Sequence, residues 1–529
     1  MDPTHTPLHT LDARSNLYTP PPTNPRHSAH DVGLLNAVVR GEARLTPEQA
    51  LDLFRSMALP TLGRYADARC RAIHGDTFRT YIIDRNINYT NVCNAKCTFC
   101  AFRRDGDEHD AYTLSYDALL EKVGELAAIG GTQILMQGGM NPELPLDWYL
   151  DLLCAIKEKY PHIHVHGFSP PEFVEFVHFF DPPGKNFEEK VRWVMVRLRD
   201  AGLDSVPGGG GEIFAGPVRR KIGLGKCDAE SWLTVMYVAH SLGMFTSATM
   251  MFGHIEGYAD RVHHMMLVRE WQDRALRDFA TTPWQATEDD NVFAMPTHGK
   301  IESKYPSARR ISPARRTLPR AGGHYKAFIS WPFQRENTPL GRVKDWGANP
   351  GELETEFPGD TVARAFDWGK NEDVDYKTLS PEFGRRVRMS GSSDYLRTQA
   401  LSRLFLDNIY SIGSSWVTMG PHIGQVGLTY GANDMGSVMM EENVVSSAGT
   451  TYCLDEAVLC RLIRGGGFVP AQRDNVYDIL KVHSGPQSPD LLVTDWSQHR
   501  AKKTHQQAPR ESRVQLGVLA KPAAQPAAR

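Results

Sequence analysis

Short apolar strands alternate with amphipathic helices along most of this chain. "RTYIIDRNINY" precedes the helical pattern "SYDALLEKVGELAAIGG", "QILMQGG" precedes "PLDWYLDLLCAIKEKY", and "FTSATMMFGH" precedes "YADRVHHMMLVREWQDR". Each parallel strand needs a crossover that carries the chain back, and a helix usually provides it. The alternation therefore predicts an α/β fold, a full or partial β/α barrel of the TIM type with helical N- and C-terminal extensions.

Two segments interrupt this alternation, and the two ends of the chain differ from it in composition. The predicted segments are a flexible N-terminal arm (1–40), a helical segment (41–80), the barrel core (81–340), an insertion (341–393), the last part of the barrel with closing helices (394–485) and a disordered tail (486–529). A further insertion, at about 275–324, follows a helix and precedes a strand, so we expect it opposite the active face. The insertion at 341–393 follows a strand and should lie on the active face.

Composition excludes several classes of protein. The formal net charge of −3 gives no basic field that would attract nucleic acid. No apolar run of about 18 residues predicts a membrane span, and the first residues lack the features of a secretion signal, so we expect a cytoplasmic protein. Eight cysteines in 529 residues are too few for a disulfide scaffold.

Three of those cysteines lie within eight residues, in "NYTNVCNAKCTFCAF". Cys93, Cys97 and Cys100 have C-x3-C-x2-C spacing just beyond a predicted strand. Three thiolates can hold three irons of a [4Fe–4S] cluster and leave the fourth iron open for a substrate or cofactor. The alternatives are a zinc site, with Cys70 or His109 as fourth ligand, and cysteines that only pack in the core.

The remaining cysteines are predicted to be ordinary, at least partly buried residues: Cys70, Cys154, Cys227, Cys453 and Cys460. If the cluster of three binds zinc, the chain would be a zinc-stabilised binding protein with no turnover. That reading is the non-enzymatic alternative.

The cysteine spacing, with Phe99 before the last cysteine, resembles the radical S-adenosylmethionine (SAM) enzymes. "LMQGGMNPELPLDWY", "HVHGFSPPE", "GLDSVPGGGGEI", "ATMMFGHIE" and "YGANDMGSVMMEENVVSSAG" resemble the menaquinone-biosynthesis (futalosine) branch of that superfamily. The resemblance covers about residues 45–274 and 325–480. It implies a [4Fe–4S] cluster on the three cysteines and SAM as the second cofactor.

The resemblance also implies a reaction. A 5′-deoxyadenosyl radical would remove a ribose hydrogen from dehypoxanthine futalosine, and a carbon–carbon bond would form to the benzoate ring, giving the cyclic product. Aminofutalosine synthase and deazaflavin-precursor (FO) synthase subunits share much of the pattern and remain alternatives. The implied partners are a small nucleoside-derived substrate and a low-potential electron donor of the flavodoxin or ferredoxin type.

Candidate cofactor-binding residues follow the second strand and lie within the cysteine motif. By resemblance, Gln137, Gly138 and Gly139 meet the methionine amino end of SAM, because backbone can approach a ligand closely where side chains are absent. A simple strand-ending turn would explain the glycines equally. Phe99 and Phe102 could flank the adenine, or pack against the barrel mouth.

Candidate catalytic residues lie near other strand ends. Glu212 could hydrogen-bond a ribose hydroxyl, or be a solvated carboxylate that leads a helix. His254 is our choice for the final proton acceptor because it ends a strand. His164 and His166 share one strand face and could orient substrate or be satisfied core residues, and Asp434 and Glu442 are further candidates.

Overall fold

Parallel strands close into a ring in the computed structural model, which describes residues 29–75, 77–279, 322–363, 380–450 and 452–499. The strands of the ring are β1 (Phe78–Ile82), β2 (Asp84–Ile87), β3 (Gln133–Met136), β4 (His164–Gly167), β5 (Thr246–Phe252), β6 (Tyr325–Pro332), β7 (Ser411–Gly413) and β8 (Asp434–Ser437). Because only Ile83 separates β1 from β2, the two act as one bent strand. Its first half pairs with β8 and its second half with β3.

Regular pairing runs from β2 through β3 to β4, and from β5 through β6, β7 and β8 to β1. Between β4 and β5 the ring is completed by two parallel bridges, His166 with Ser205 and Val206 with Thr246. Residues 205–206 thus occupy the fourth strand position. The predicted α/β barrel is confirmed, and it is a full ring in the described residues.

Helices lie outside the ring between successive strands. They are α4 (Tyr116–Ala128), α5 (Leu146–Lys159), α6 (Pro170–Phe180), α7 (Phe187–Ala201), α8 (Gly216–Ile222), α9 (Ala229–Ser241) and α10 (Tyr258–Phe279). Ser115 caps α4, since its side chain accepts a hydrogen bond from the amide of Ala118. The apolar faces of these helices pack on the ring, where Tyr149 contacts Phe168 and Phe176.

Three helices precede the barrel: α1 (Ala29–Arg40), α2 (Pro47–Ser56) and α3 (Leu59–His74). Thr46 and Gln49 form a reciprocal capping box that starts α2. The predicted arm is too long at its C-terminal end, because α1 lies within its limits of 1–40. Leu35 and Val38 are buried, and their helical spacing explains why this stretch is ordered.

The first insertion begins later than expected, because α10 continues to Phe279. Most of the predicted segment 275–324 lies outside the described residues. A Cβ on Gly322 would overlap the carbonyl group of Phe279, so the chain returns beside the point where it left. Both ends lie next to the start of β6, at the face opposite the carboxyl ends of the strands.

The second insertion, in its described part, contains the 3-10 helices Leu340–Arg342 and Glu352–Glu354 and the short helix Pro358–Ala363. It packs on the loop after β5, where the amide of Tyr258 donates to Asp360 at 3.0 Å. The amide of Arg388, on the returning segment, donates to the carbonyl of His254 at 2.8 Å. This insertion therefore covers one strand end on the active face.

The C-terminal part contains five helices within the described residues: Ser392–Phe405, Trp416–Met419, Pro421–Gly427, Val444–Ser447 and Glu456–Gly465. Strand β9 (Val469–Arg473) pairs in parallel with β1, and β10 (Ile479–Val482) pairs antiparallel with β9. None of the helices in the described ranges has the length and apolar character needed to cross a membrane.

The predicted disordered tail, 486–529, starts too early. Pro489–Leu491 and Trp496–His499 form 3-10 helices, and Asp490 pairs with Arg464 at 2.6 Å. Asp490 is buried in this contact, which fixes the segment on the helix Glu456–Gly465. Residues from 500 onward lie outside the described part of the chain.

Candidate active site

The cysteine motif lies on the loop that follows β2, at the carboxyl ends of the barrel strands. Cys93, Cys97 and Cys100 are free thiols. The amide of Cys93 donates to the carbonyl of Arg104 at 3.1 Å, and the amide of Asn94 donates to Met140 at 3.1 Å. The loop is thus held to its own return segment and to the loop after β3.

A cavity of about 1200 Å³, including its open mouth, lies at this face of the barrel. Residues from loops after several strands line it. Among them are Cys93, Cys97, Phe99, Cys100, Phe102, Gln137, Gly138, Gly139, Glu212 and Lys226. The structure therefore brings all three cysteines and six further candidates from the sequence into one cavity.

A structural zinc ion needs four ligands around one point. Within the described ranges, no group of three or more His, Cys, Asp or Glu side chains is placed to hold a metal ion. Cys70 donates to the carbonyl of Ala432 at 3.6 Å, and the side chain of His109 is 75% exposed. Neither supplies the fourth ligand that the zinc alternative requires.

Gly138 and Gly139 lie against the loop that carries the cysteines. A Cβ on Gly139 would stand 2.6 Å from the carbonyl carbon of Val92 and 2.9 Å from the Cβ of Cys93, and one on Gly138 would stand 2.7 Å from the ring of Tyr89. The amide of Gly139 donates to the carbonyl of Thr90 at 2.9 Å. Only glycine allows the loop after β3 to pack this closely against the cysteine loop and Tyr89.

Glu212 and Lys226 form an ion pair in the cavity wall. Lys226 Nζ lies 2.6 Å from Glu212 Oε1, and the two side chains are 14% and 6% exposed. Burial lowers the pKa of Lys226, but the attraction of Glu212 outweighs it and the net pKa is raised. Glu212 Oε2 is buried and makes no hydrogen bond, so one acceptor remains available for a ligand.

Lys226 also lies close to the cysteine loop. Its Nζ is 5.0 Å from the ring centroid of Phe99, a cation–π distance. Burial raises the pKa of the Cys97 thiol to about 12, although the charge of Lys226 opposes the shift. A bound metal centre would supply the positive charge that a thiolate needs at such a site.

Comparison with known proteins identifies the family. The model of the Radical SAM superfamily matches residues 87–268, and that of the CofH/MqnC C-terminal region matches residues 372–485. Cyclic dehypoxanthine futalosine synthase from Halalkalibacterium halodurans is 35% identical over 85% of this chain and 95% of that protein. The chain belongs to the radical SAM superfamily. As a radical SAM enzyme, it uses a [4Fe–4S] cluster and SAM.

Of two other relatives of this radical SAM enzyme, one carries the same name and one a different name. Cyclic dehypoxanthine futalosine synthase from Streptomyces coelicolor is 34% identical over 84% of this chain and 87% of that protein. Aminodeoxyfutalosine synthase from Thermus thermophilus is 30% identical over 85% of this chain and 96% of that protein. The crystallised FeFe-hydrogenase maturase HydG from Carboxydothermus hydrogenoformans superposes with a TM-score of 0.52 at 13% identity, covering 85% of this chain and 80% of that one, which shows a shared fold alone.

His254, which the sequence suggested as a base, does not line the cavity. Its side chain is completely buried. Nε2 lies 3.2 Å from the carbonyl oxygen of Met251, while Nδ1 lies 2.8 Å from the amide of Ile255 and 3.0 Å from Glu256 Oε2. His254 follows β5 on the active face as expected, but the second insertion covers this loop, and His254 fixes the loop there instead of facing the cavity. Its role as the final proton acceptor stays a prediction.

His164, His166 and Asp434 lie within the strands of the barrel, His164 and Asp434 at the first residue of β4 and β8. His164 Nε2 and His166 Nδ1 lie 2.7 and 2.6 Å from the hydroxyl of Ser205. Burial lowers the pKa of His166 to about 3, which keeps the ring neutral. Arg473 pairs with Asp434 at 2.5 Å. These residues form a polar layer away from the cavity and do not contact it.

Glu442 caps a helix and does not line the cavity. Its carboxylate accepts hydrogen bonds from the amides of Val444, Val445 and Ser446 at 2.7–3.0 Å. Val444 and Val445 themselves line the cavity. Glu442 thus shapes the wall through the short helix that it holds.

Several cavity residues escaped the sequence reasoning. Trp331 and Gln334 lie at the end of β6, in "SWPFQ", where their position at a strand end was a usable signal. Lys226 had no such signal, because α8 separates it from Glu212 in sequence. Only the turn after α8 brings the two charges together.

Proposed function

We propose that this radical SAM enzyme converts dehypoxanthine futalosine into cyclic dehypoxanthine futalosine in menaquinone biosynthesis. The observation that carries the proposal is the higher identity to two cyclic dehypoxanthine futalosine synthases than to aminodeoxyfutalosine synthase, at similar coverage. The two activities use different substrates, so an assay with each substrate can test which activity this enzyme has.

Cys93, Cys97 and Cys100 are proposed to hold the cluster. They line one cavity, and their loop is fixed by backbone hydrogen bonds on both sides. When bound, the cluster and SAM would supply a 5′-deoxyadenosyl radical. Removal of a ribose hydrogen, bond formation to the benzoate ring and loss of one electron and one proton from the ring would then give the cyclic product. The role of the protein is to bind, orient and exclude water.

Residues around the cysteines are suited to placing SAM. Gln137, Gly138 and Gly139 offer backbone groups where no side chain intervenes, and we assign them to the methionine end. Phe99 and Phe102, both in the cavity wall, are assigned to the adenine. Phe99 is additionally held by its contact with Lys226.

Glu212 is proposed to accept a hydrogen bond from a ribose hydroxyl through Oε2. That oxygen is buried in the cavity wall and has no protein partner, whereas Oε1 is held by Lys226. A buried acceptor left without a donor costs about 1–3 kcal/mol, and a hydroxyl of the ligand would recover this cost. Lys226 is a positioning residue in this scheme because it fixes the carboxylate.

We further propose that the enzyme works in the cytoplasm and receives its electrons from a flavodoxin or a ferredoxin. Radical SAM enzymes require a reductant, and their substrates are small molecules. The cytoplasm is where small low-potential carriers of this kind remain reduced. Fractionation and reduction assays with each carrier test these two statements.

The test of the main proposal is an anaerobic incubation of the cluster-loaded enzyme with SAM, dithionite and dehypoxanthine futalosine. We expect free 5′-deoxyadenosine and a product lighter than the substrate by one pair of hydrogens. Cys97→Ala is the control and should yield neither compound. An adenosylated product formed from an enol-ether substrate would instead identify an aminofutalosine synthase and overturn the assignment.

A further inference from the structure

An exposed basic surface adjoins the cysteine loop on its outer side. We call it the Leu224 surface and define it by Lys96, Lys221, Leu224, Arg342 and Lys344, all of which are exposed. Leu224 is 50% exposed and lies among these cations. An apolar centre among cations is typical of a protein docking site.

Backbone hydrogen bonds connect the three segments that form this surface. The amide of Lys96 donates to the carbonyl of Leu224 at 2.8 Å, and the amide of Thr98 donates to Ile222 at 2.8 Å. The amide of Leu340 donates to the carbonyl of Thr98 at 2.8 Å, which attaches the segment of Arg342 and Lys344 to the same loop. The surface is therefore continuous with the peptide units between Cys93 and Cys100.

The charge of this surface is opposite in sign to that of the whole chain, whose formal net charge is −3. On the adjoining segments Asp345 pairs with Arg335 at 2.6 Å, Glu382 pairs with Arg385 at 3.1 Å, and Asp228 accepts from the amide of Ser231 at 2.7 Å. Glu336 is a further exposed carboxylate, so the cations still outnumber the carboxylates that are not paired with a cation. The Leu224 surface therefore keeps an excess of positive charge close to the cysteines. Such a field steers acidic partners toward one orientation.

We propose that the Leu224 surface docks a small acidic electron-transfer protein, which delivers one electron to the cluster held by the three cysteines. In this step the carrier is oxidised by one electron and the cluster is reduced by one electron, with no bond formed or broken in either protein. The proposal rests on the proposed function only in requiring that the cluster be reduced before turnover.

Position favours an electron carrier over another occupant. Lys96 lies between two of the cysteines in sequence and is exposed, while Ala95 and Cys97 beside it are buried. A Cβ on Gly225 would stand 3.5 Å from the Cα of Ala95, so the surface and the cysteine loop are in direct contact. A partner seated on Leu224 would thus be separated from the cluster by a single layer of chain.

The experiment measures binding and two kinds of turnover. The variant Lys221→Glu/Arg342→Glu/Lys344→Glu is compared with Arg64→Glu/Lys159→Glu/Lys481→Glu, which changes the net charge equally at exposed cations elsewhere. Calorimetry with a flavodoxin gives the Kd at about 50 mM and about 500 mM salt. Turnover is measured once with flavodoxin, its reductase and NADPH, and once with dithionite, which needs no docking.

We expect the first variant to weaken flavodoxin binding at least about tenfold at low salt, with most of the difference lost at high salt. Its flavodoxin-driven turnover should fall in parallel while dithionite-driven turnover stays within about twofold of wild type. Leu224→Ser should also weaken binding, and that loss should persist at high salt because it removes apolar contact.

Other outcomes would overturn the proposal. Equal effects of both triple variants would mean that only the overall charge matters. A change in oligomeric state of the first variant, seen by sedimentation, would show that the Leu224 surface binds a second copy of the chain. Absence of dithionite-driven turnover in the wild type would instead contradict the proposed function, and calorimetry would still decide the docking question.

Discussion

Replacing Gly139 by alanine tests whether the loop after β3 and the cysteine loop form one structural unit. The added Cβ would stand 2.6 Å from the carbonyl carbon of Val92 and 2.9 Å from the Cβ of Cys93, whereas ordinary contact begins at 3.4 Å. The two backbones would have to separate by more than 0.8 Å, because the carbonyl oxygen of Val92 lies closer still to the added Cβ. Overpacking of this kind costs about 1–3 kcal/mol, and here it falls on the peptide next to a cluster ligand.

The assay for Gly139→Ala is the iron and sulfide content after anaerobic reconstitution, together with SAM affinity by equilibrium dialysis. We expect a lower cluster content and SAM binding weakened by about tenfold or more. Gly106→Ala is the matched control, because its Cβ would meet the side chain of the same residue, Val92, at an ordinary 3.8 Å and would not touch its carbonyl group. Wild-type cluster content and SAM affinity in Gly139→Ala would refute the reasoning.

Three further changes should affect the stability or the turnover of the enzyme to different extents. Burial raises the pKa of Asp84 to about 6, above its unfolded value of about 3.9. The protonated group therefore favours folding at low pH, and the protein loses about 3 kcal/mol of stability as pH rises through 6. Urea unfolding of Asp84→Asn at pH 4.5 and 7.5 should lack that loss. His254→Ala should lower the unfolding free energy by about 1–3 kcal/mol while turnover per folded chain stays within about threefold. Deleting residues 280–318 should leave turnover within about twofold, because the insertion enters and leaves at the face opposite the cavity.

Each of these three predictions would be contradicted by one specific result. An equal pH dependence in Asp84→Asn and wild type would mean that Asp84 titrates alike in both states. Turnover lost in a His254→Ala protein that unfolds like the wild type would restore a catalytic role. Lost turnover in a folded, cluster-loaded deletion variant would place the first insertion at the site.

The order of strands and helices could be predicted because each element carries its own periodicity. The strand position at Ser205 and Val206 could not, because it consists of two bridges and lacks the length that gives a pattern. The helix Ala29–Arg40 does have a helical pattern, but it was missed because the whole segment was judged by the Pro- and Thr-rich residues before it. Composition averaged over a segment conceals an ordered part of it.

The site was predictable where chemistry depends on neighbours in sequence. The cysteines and the glycine pair are local motifs, so their type and spacing led to the cavity. His254 failed because a strand end in sequence does not reveal whether a distant insertion covers it, and Arg388 does so here. Lys226 was missed because its partner Glu212 becomes a neighbour only after folding.

The contacts between Gly139 and the loop of Cys93 have a thermodynamic consequence. The amides of Gly139 and Asn94 link the segment that would receive SAM to the segment that would hold the cluster. A ligand that orders one segment also orders the other. The second ligand then costs less conformational entropy when it binds. The two cofactors should therefore bind cooperatively, and by reciprocity SAM should strengthen binding of the cluster by the same factor by which the cluster improves the affinity for SAM.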